Sequence, residues 1–536
     1  MTNRRCSETS FFQTLYHGIV MIRTMLLVTA ILATAIAVLS LPGRHVWAAE
    51  DPIDTMADQI DSLIEARLRA EGYEPSELCR DEVFLRRVYL DLAGVLPTVA
   101  DVRAFLKDDS PDKRIVCVDR LLTSPRYATH MASSWRNVML PRSFDREQLN
   151  NAAGLQNWLR NQFVKNLRYD NLVAEFLVAT GDGTSGPALY YTSLEMKPEK
   201  LAASSARIFL GLQIQCAECH DHPSDHWTQR DFWAYAAFFS QLQEPSEGMV
   251  NMRVVDRDEG EVLLPDTEEV IGPRFPGSSV ESDSEFGTRR SQLAIWMASR
   301  DNPYLARAAV NGAWAQLFGR GLVHPVDDLG QNNPASHPEL LKQLATYFTK
   351  NRFDQRLMMR TLVRTKAYQR SSELTDPAIP DFLFGRMLVK TLNSEQLYDC
   401  VTRAAGTEVV TSGMVQDPFL EPRRLAFVSR MHRQTRDATQ YQVGLPHALL
   451  LMNGPEIQAA TSPQQSRLIR GLAAPWFSDE QRIETLFLAT MSRFPNEDER
   501  REVQAALNSV PLEERQAALA DVLWALLNSG EFALNH

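Results

Sequence analysis

Apolar residues recur at helical spacing along most of this chain. In residues 53–70, "IDTMADQIDSLIEARLRA", the residues Ile53, Met56, Ile60, Leu63, Ile64 and Leu68 fall on one face of a 3.6-residue period and predict a helix. The same spacing predicts helices over 81–92, 99–107, 112–122, 155–178 and 199–214. Between 244 and 290 the period is lost among "GEVLLPD", "GPRFPG" and scattered acids, and "MRVVD" and "EVLLP" flank "RDEG" as a short hairpin. Helical spacing returns at "RSQLAIWMAS" and "PYLARAAVNGAWAQLFGRG", with Gly319 and Gly321 as stop residues. In "SHPE", Ser336 and Glu339 predict a capping box, and "LLKQLATYFTK", "RLMMRTLVRTKAY" and "QAALADVLWALLNSGEFAL" carry the helical pattern to the end. The pattern predicts a mainly α protein: one helical domain at 53–243, an irregular linker with a short β-hairpin at 244–290, and a second helical domain at 291–536.

Two distant strings echo one another. "YLDLAGVLPTVADVR", from Tyr89, and "FLATMSRFPNEDERR", from Phe487, share an aromatic-Leu pair followed by Pro, an acid and Arg in the same register. "LLTSPRYA", "LLNSGEFA" and "LVRTKAYQ" form a second related set. Reuse of one helix, Pro-initiated helix, helix unit explains both sets; chance convergence of Leu-rich helices on Pro-bearing turns gives the same strings.

Composition narrows the class. With 536 residues, 44% hydrophobic, the chain has enough apolar residues for cores in more than one domain. A net charge of −11, from 67 acidic and 56 basic residues, gives no basis for nucleic-acid binding. At the N-terminus, Arg23 precedes an apolar run from Met25 to Leu41, and Val46 and Ala48 in "RHVWAAED" fit small-residue cleavage positions. Residues 1–48 therefore read as a signal peptide, with Met21 or Met25 as alternative starts, or as an uncleaved anchor near the lower length limit for a membrane span. The expected location is the periplasm or cell envelope. Cleavage removes Cys6 and leaves Cys79, Cys117, Cys216, Cys219 and Cys400, an odd number for an oxidising compartment, among which a Cys79–Cys117 disulfide is one pairing.

The densest chemistry lies in "QCAECHDHPSDHW", residues 215–227. Cys216, Cys219 and His220 supply the Cys-x-x-Cys-His spacing of a c-type haem site, two thiols for thioethers and an adjacent imidazole for iron. Downstream, Phe232, Trp233, Tyr235, Phe238 and Phe239 offer aromatic area to wall a porphyrin or to fill an ordinary core. Met196, Met249, Met252 and His226 are all eligible as a second axial ligand. The same segment also reads as a zinc or iron site built from Cys216, Cys219, His222 and His226, with His220 as a further ligand and Asp221 or Asp225 behind an imidazole. Only two residues separate the ligand pairs, which strains closure by this segment alone. The third reading is a Cys216–Cys219 disulfide in a polar turn, with Pro223 ending one helix and Thr228 capping the next.

A second polar loop, residues 319–341, gathers Arg320, His324, Asp327, Asp328, Asn332, Asn333 and His337. It reads either as a ligand-binding loop or as turn and cap residues satisfying their own backbone. His432 and His447 stand in a similar position, His447 beside an apolar run. The sequence has no Gly-rich phosphate loop, no Gly-x-Ser-x-Gly elbow and no His-Glu-x-x-His helix, which argues against several large hydrolase and nucleotide-using classes.

Taken together, "DEVFLRRVYLDLAGVLPT", "SPDKRIVCVDRLLTSPRYA", "FLGLQIQCAECHDHPSDHWTQRDFWAYAAFF", the "RSQLAIWMASRDNPYLARAAVNGAWAQLFGRGLVHPVDDLGQNNPASHPELL" stretch, "LVRTKAYQRSS", "GLPHALLLMNGP" and "LNSGEFAL" resemble a two-domain family of exported proteins abundant in planctomycete bacteria. Its domains, of unknown function, are named for association with planctomycete cytochromes. The resemblance runs from about residue 53 to the end. It places the family's Cys-x-x-Cys-His-Asp-His-Pro element on Cys216, Cys219, His220, Asp221, His222 and Pro223; relatives commonly continue with Phe-Asp, where this chain has Ser224 and Asp225. Relatives often carry a further cytochrome c-like domain near the N-terminus, and no second Cys-x-x-Cys-His precedes residue 215 here. The expectation is an exported haem c protein for electron transfer or a haem-assisted redox reaction, working with a redox partner or a cell-envelope protein. The alternatives are a cell-envelope scaffold braced by a metal or disulfide at the same cluster, and a metal-dependent hydrolase.

Overall fold

The structure is a computed structural model that describes residues 52–140, 146–243, 253–282, 287–300, 302–374, 377–408, 421–431 and 451–536. The run from Met25 to Leu41, Met249, Met252, His432 and His447 lie outside the described residues. Helices form where the apolar spacing is clearest: α1 (Pro52–Ala70), α2 (Asp81–Ala93), α3 (Val99–Lys107), α4 (Lys113–Leu122) and α5 (Pro125–Met139). Their ends follow local chemistry. Gly94 turns the chain out of α2 at φ 70°, Thr98 and Asp101 make a reciprocal capping box on α3, and Ser124 accepts the Tyr127 N–H at the start of α5.

Two expected helices are interrupted. The one over 155–178 is two, α6 (Arg146–Val164) and α7 (Tyr169–Leu177), because Asn166 takes a left-handed φ of 49° between them. After α8 (Ala188–Ser193), the one over 199–214 is cut short: it begins as α9 (Pro198–Ser205), passes into a π turn at Ala206–Leu210 and stops at Gly211, φ 67°. Then follow α10 (Gln229–Ala236), α11 (Arg289–Ala298) and α12 (Leu305–Phe318), which ends at Gly319 with φ 82°. Gly321 stops no helix. It lies where a Cβ would come within 2.2 Å of the Val323 carbonyl oxygen. The remaining helices are α13 (Pro338–Lys350), α14 (Gln355–Arg364), α15 (Lys366–Gln369), α16 (Ser394–Ala405), α17 (Pro422–Arg430), α18 (Pro455–Thr461), α19 (Arg467–Leu472), α20 (Asp479–Thr490), α21 (Glu497–Asn508) and α22 (Arg515–Leu527). The fold is mainly α.

The capping box expected at Ser336 and Glu339 does not form. Pro338 occupies the first helical position of α13, so His337 stands at the cap, and the Ser336 hydroxyl, one residue too early, donates to the Leu322 carbonyl at 3.1 Å. The hairpin around "RDEG" is also displaced by one strand. Val254 pairs backwards with Gly181, joining β1 (Gly181–Asp182) to β2 (Arg253–Val254), while β3 (Val262–Leu263) pairs with β4 (Val270–Ile271) around Asp266, φ 60°. Between β2 and β3, Gly260 at φ 145° presses against the Ser240 carbonyl, a contact that a Cβ would block at 2.2 Å. A third ribbon pairs β5 (Lys390–Thr391) with β6 (Leu534–Asn535).

From Met56 to His536 the described residues form one compact unit. Its larger core draws on both sides of the 244–290 segment, setting Phe209 and Tyr235 in the same cluster as Trp314, Leu344 and Tyr368. A second core gathers residues 392–532 with Leu90 and Leu96 from the α2 turn. Packing thus divides the chain elsewhere than composition does: the last third has its own core and is keyed into the first helices. Among the described residues, no helix is long and apolar enough to cross a membrane.

The echoed strings are one structure made twice. After α20, Ser492 takes φ 59° and Asn496 opens α21 with a capping box to Glu499, as Gly94, Thr98 and Asp101 do between α2 and α3. In the second set, Ser124, Thr365 and Ser529 each accept a backbone N–H three residues on, from Tyr127, Tyr368 and Phe532, and all three rings are buried.

Candidate functional site

The Cys-His segment sits on a turn whose backbone is held from below. Beyond Gly211, residues Gln215–Glu218 make one 3-10 turn, with Ala217 buried beneath it and both Cys216 and Cys219 exposed. The Trp233 indole donates to the Glu218 carbonyl at 2.9 Å, and the Gln229 side-chain amide donates to the carbonyls of Glu218 and Cys219 at 3.2 and 3.0 Å. The Asp221 carboxylate is committed to the Gln229 N–H at 2.9 Å, and Thr228 caps α10 with Asp231, as expected. Pro223 ends no helix; it lies in the irregular stretch between the 3-10 turn and α10.

Hydrogen bonding distinguishes the three imidazoles. His220 Nδ1 lies 2.7 Å from the Asp221 carbonyl, which can only accept, so Nδ1 carries the proton and Nε2 keeps its lone pair. His226 Nδ1 likewise meets the Asp225 carboxylate at 2.6 Å, leaving Nε2 open. His222 is the opposite case: its Nδ1 accepts from the N–H groups of Ser224 and Asp225 at 3.3 and 2.9 Å, so Nε2 holds the proton and the ring serves the turn. Among the described residues, no three His, Cys, Asp or Glu side chains converge as a metal-binding group. Cys79, Cys117, Cys216, Cys219 and Cys400 are all free thiols, so neither the Cys216–Cys219 nor the Cys79–Cys117 disulfide forms. Burial pushes the Cys117 thiol up to about 11 and the Cys400 thiol up to about 12, which keeps both protonated and inert at neutral pH.

The expected aromatic wall is core. Phe232, Tyr235, Phe238 and Phe239 are fully buried, and the Tyr235 hydroxyl is 3.0 Å from Ser205 Oγ. Only Trp233, half-buried, reaches the motif turn. Met196 is buried in the larger core.

The second polar loop comes to the first. Leu329 N–H donates to the Gly211 carbonyl at 2.7 Å, Arg207 meets Asp327 at 3.3 Å, the Gln213 amide donates to Asp327 at 3.1 Å, and the Asn332 amide bonds the Ser224 carbonyl. Gly211 permits the approach, since a Cβ there would lie 2.2 Å from Leu329 Cδ1. The loop itself is pinned by buried Asn311, which donates to the carbonyls of Val323 and Val326 and accepts the Val323 N–H. Asn333 donates to Asp328 O at 2.8 Å, and His337 is buried beside Phe384. Burial pushes His337 down to about 4, with Arg67 adding to the shift.

Sequence reasoning missed a buried polar wall. Asp91, on α2, accepts from Lys390 Nζ at 2.6 Å, the Tyr368 hydroxyl at 2.8 Å and the Asn535 amide at 2.7 Å. Beside it, Glu395 is clamped between Arg136 and Arg424, and Arg424 also pairs with Asp399 at 2.9 Å. Burial raises the Glu395 pKa, but the two guanidiniums outweigh it and hold the carboxyl at about 2. Burial lowers Lys390 and His130, partly offset by Asp91 in both cases. The signal was a lone charge inside an apolar run, Asp91 in "VYLDLAGVL" and Lys390 in "MLVKTL".

Residues 59–244 match PSCyt2, described as a protein of unknown function (DUF1549), and residues 289–442 match PSD1, a protein of unknown function (DUF1553). The chain belongs to the two-domain PSCyt–PSD family. The PSCyt2 match takes in the whole Cys-His segment, and the PSD1 match takes in the loop that packs on it. No curated protein and no solved structure matches the chain.

Proposed function

We propose that this PSCyt–PSD protein is an exported redox protein whose Cys216–His220 turn holds a covalently attached haem c. The observation that carries the reading is the state of three side chains: two free, exposed thiols three residues apart on one turn, followed by an exposed imidazole whose Nδ1 is fixed and whose Nε2 is left to a ligand. Those residues fit the group chemically, with Cys216 and Cys219 as thioether anchors and His220 as the proximal ligand. Bound there, the group supplies one-electron transfer to a redox partner. The chain's own contribution is orientation: the Asp221 carbonyl fixes the His220 ring, while Trp233 and Gln229 fix the turn. His226, with Nε2 open, would offer the group a further imidazole. Attachment of this kind takes place outside the cytoplasm, which joins the reading to the expected export through residues 1–48.

The test is a pyridine haemochrome spectrum of the full chain, produced in a host carrying c-type maturation machinery, with metal analysis on the same sample. The expected result is a thioether-type spectrum that survives acid-acetone extraction in the wild type and disappears in Cys216→Ser and Cys219→Ser, with far-UV circular dichroism unchanged. A wild-type protein without haem but with stoichiometric zinc or iron overturns the reading in favour of a metal site or metal-dependent hydrolase. A protein with neither overturns it in favour of a cell-envelope scaffold.

A further inference from the structure

The β3–β4 hairpin turns an apolar pair toward solvent. Leu264 N–H donates to the Glu269 carbonyl at 2.9 Å, so the next pair along, Leu263 with Val270, is the non-hydrogen-bonded kind, in which the two side chains stand closest. Val262 and Ile271 are buried on the opposite face, while Leu263 and Val270 are 53% and 49% exposed. A single exposed apolar side chain is ordinary; two held side by side on a ribbon make a contact surface. Acids flank it. Glu261 and Glu268, both exposed, stand two positions from Leu263 and Val270, the spacing that returns a strand to the same face, and exposed Asp266 forms the turn between them. Asp266 and Glu268 form no ion pair among the described residues. Glu261 has Arg289 near it, but that guanidinium directs its bonds to the Ala237 and Gly260 carbonyls and the Ser240 hydroxyl. Adjacent residues of α10 tie this face to the Cys-His turn: Gln229 donates to the Glu218 and Cys219 carbonyls at 3.2 and 3.0 Å, and Arg230 holds Glu269 of the hairpin at 2.6 Å. The hairpin lies outside both matched stretches, 59–244 and 289–442, so its surface is this chain's own.

We propose that this face docks the redox partner, a basic protein that covers Leu263 and Val270 with an apolar centre and meets the surrounding carboxylates with lysine and arginine side chains. The partner's class rests on the redox reading above; the docking itself does not need haem. Charge selects the occupant. A second copy of this chain would bring the same acids face to face, and nucleic acid or an anionic lipid surface would be repelled by them. The contact is small and charged at its rim, which suits a brief encounter for electron transfer rather than a permanent assembly.

The probe is a soluble basic cytochrome c, with the same protein after succinylation of its lysines as the charge-reversed counterpart, titrated calorimetrically into the full chain. Cys216→Ser is titrated beside the wild type, and a haemochrome spectrum reads haem content separately. Both are expected to bind the basic probe saturably, at least about tenfold more tightly than the succinylated one, with affinity falling as salt is added. Leu263→Thr with Val270→Thr keeps residues suited to a strand and should weaken binding about tenfold while its salt dependence remains. Asp266→Asn with Glu268→Gln should weaken it by about as much and flatten the salt dependence. Glu513→Gln with Glu514→Gln, exposed acids in the last third of the chain, should leave binding unchanged. No saturable binding, equal binding of the two probes, or hairpin variants that bind like the Glu513 and Glu514 control would each overturn the proposal. A wild type that lacks haem and still docks the probe through the hairpin supports the docking surface and overturns the haem reading alone.

Discussion

At the scale of single residues, burial decides which titratable groups matter. His337 is 5% exposed, its Nδ1 meets the Ser336 hydroxyl at 3.1 Å and its Nε2 has no partner, so the folded protein holds it neutral, with a pKa of about 4 against an ordinary 6.5. Between those values the unfolded chain takes up a proton that the folded chain refuses. Its contribution is therefore fully present above pH 6.5 and declines as pH falls toward 4, by up to about 3 kcal/mol. His536 and His130 are also held down by burial and contribute in the same direction. Urea unfolding at pH 7 and pH 5 should show His337→Leu losing less stability on acidification than wild type, by one proton's share. Equal pH slopes in the two proteins would mean that His337 is solvated in the folded state. The comparison also shows what single residues disclose in a sequence. Cys216, Cys219 and His220 stand out in the sequence by their spacing alone, whereas the surroundings of His222 and His337 depend on hydrogen bonds and burial that only the folded chain defines.

At the scale of elements, apolar spacing predicted most helices, and its failures share a cause. Asn166, Gly211 and Gly260 break or bend the chain at positive φ to bring distant segments together, a demand that arises from packing rather than periodicity. The hairpin expected around "RDEG" falls instead around Asp266, with Val254 paired back to Gly181. Where local chemistry and packing agree, the sequence was explicit, as in the Ser/Thr-x-x-aromatic turns. Thr365 is the most buried of these: its hydroxyl accepts the Tyr368 N–H at 3.1 Å and donates to the Leu362 carbonyl at 2.8 Å, linking α14 to α15. Thr365→Ala should cost about 1–2 kcal/mol in urea unfolding, while Thr365→Ser, which keeps the hydroxyl, should recover most of that. If Ser behaves like Ala, the lost methyl packing rather than the cap carries the effect.

At the scale of the whole molecule, one buried side chain makes several of the bonds that join the first helices to the last. Arg86, on α2 and 1% exposed, donates to the carbonyl of Thr490 at the end of α20 at 2.9 Å, and to those of Glu531, Phe532 and Leu534 at 3.1, 2.9 and 3.2 Å. Those oxygens belong to a helix end and a turn, and the second core closes over them with Leu90 and Leu96 from the same α2 turn. A leucine at 86 is large enough to fill the space but supplies no donor, so Arg86→Leu strands several buried carbonyls at once and should cost about 3–5 kcal/mol. Arg103, 44% exposed and 2.9 Å from Glu484, spans the same two regions through solvent, and Arg103→Ala should cost less than about 1 kcal/mol. Amide exchange separates the mechanisms: Arg86→Leu should selectively speed exchange in α20 and residues 531–535, leaving α12 and α13 protected. Uniform acceleration across both cores would mean that the two cores unfold as one unit, and that Arg86 contributes to global stability without acting as the specific link between the chain's two ends.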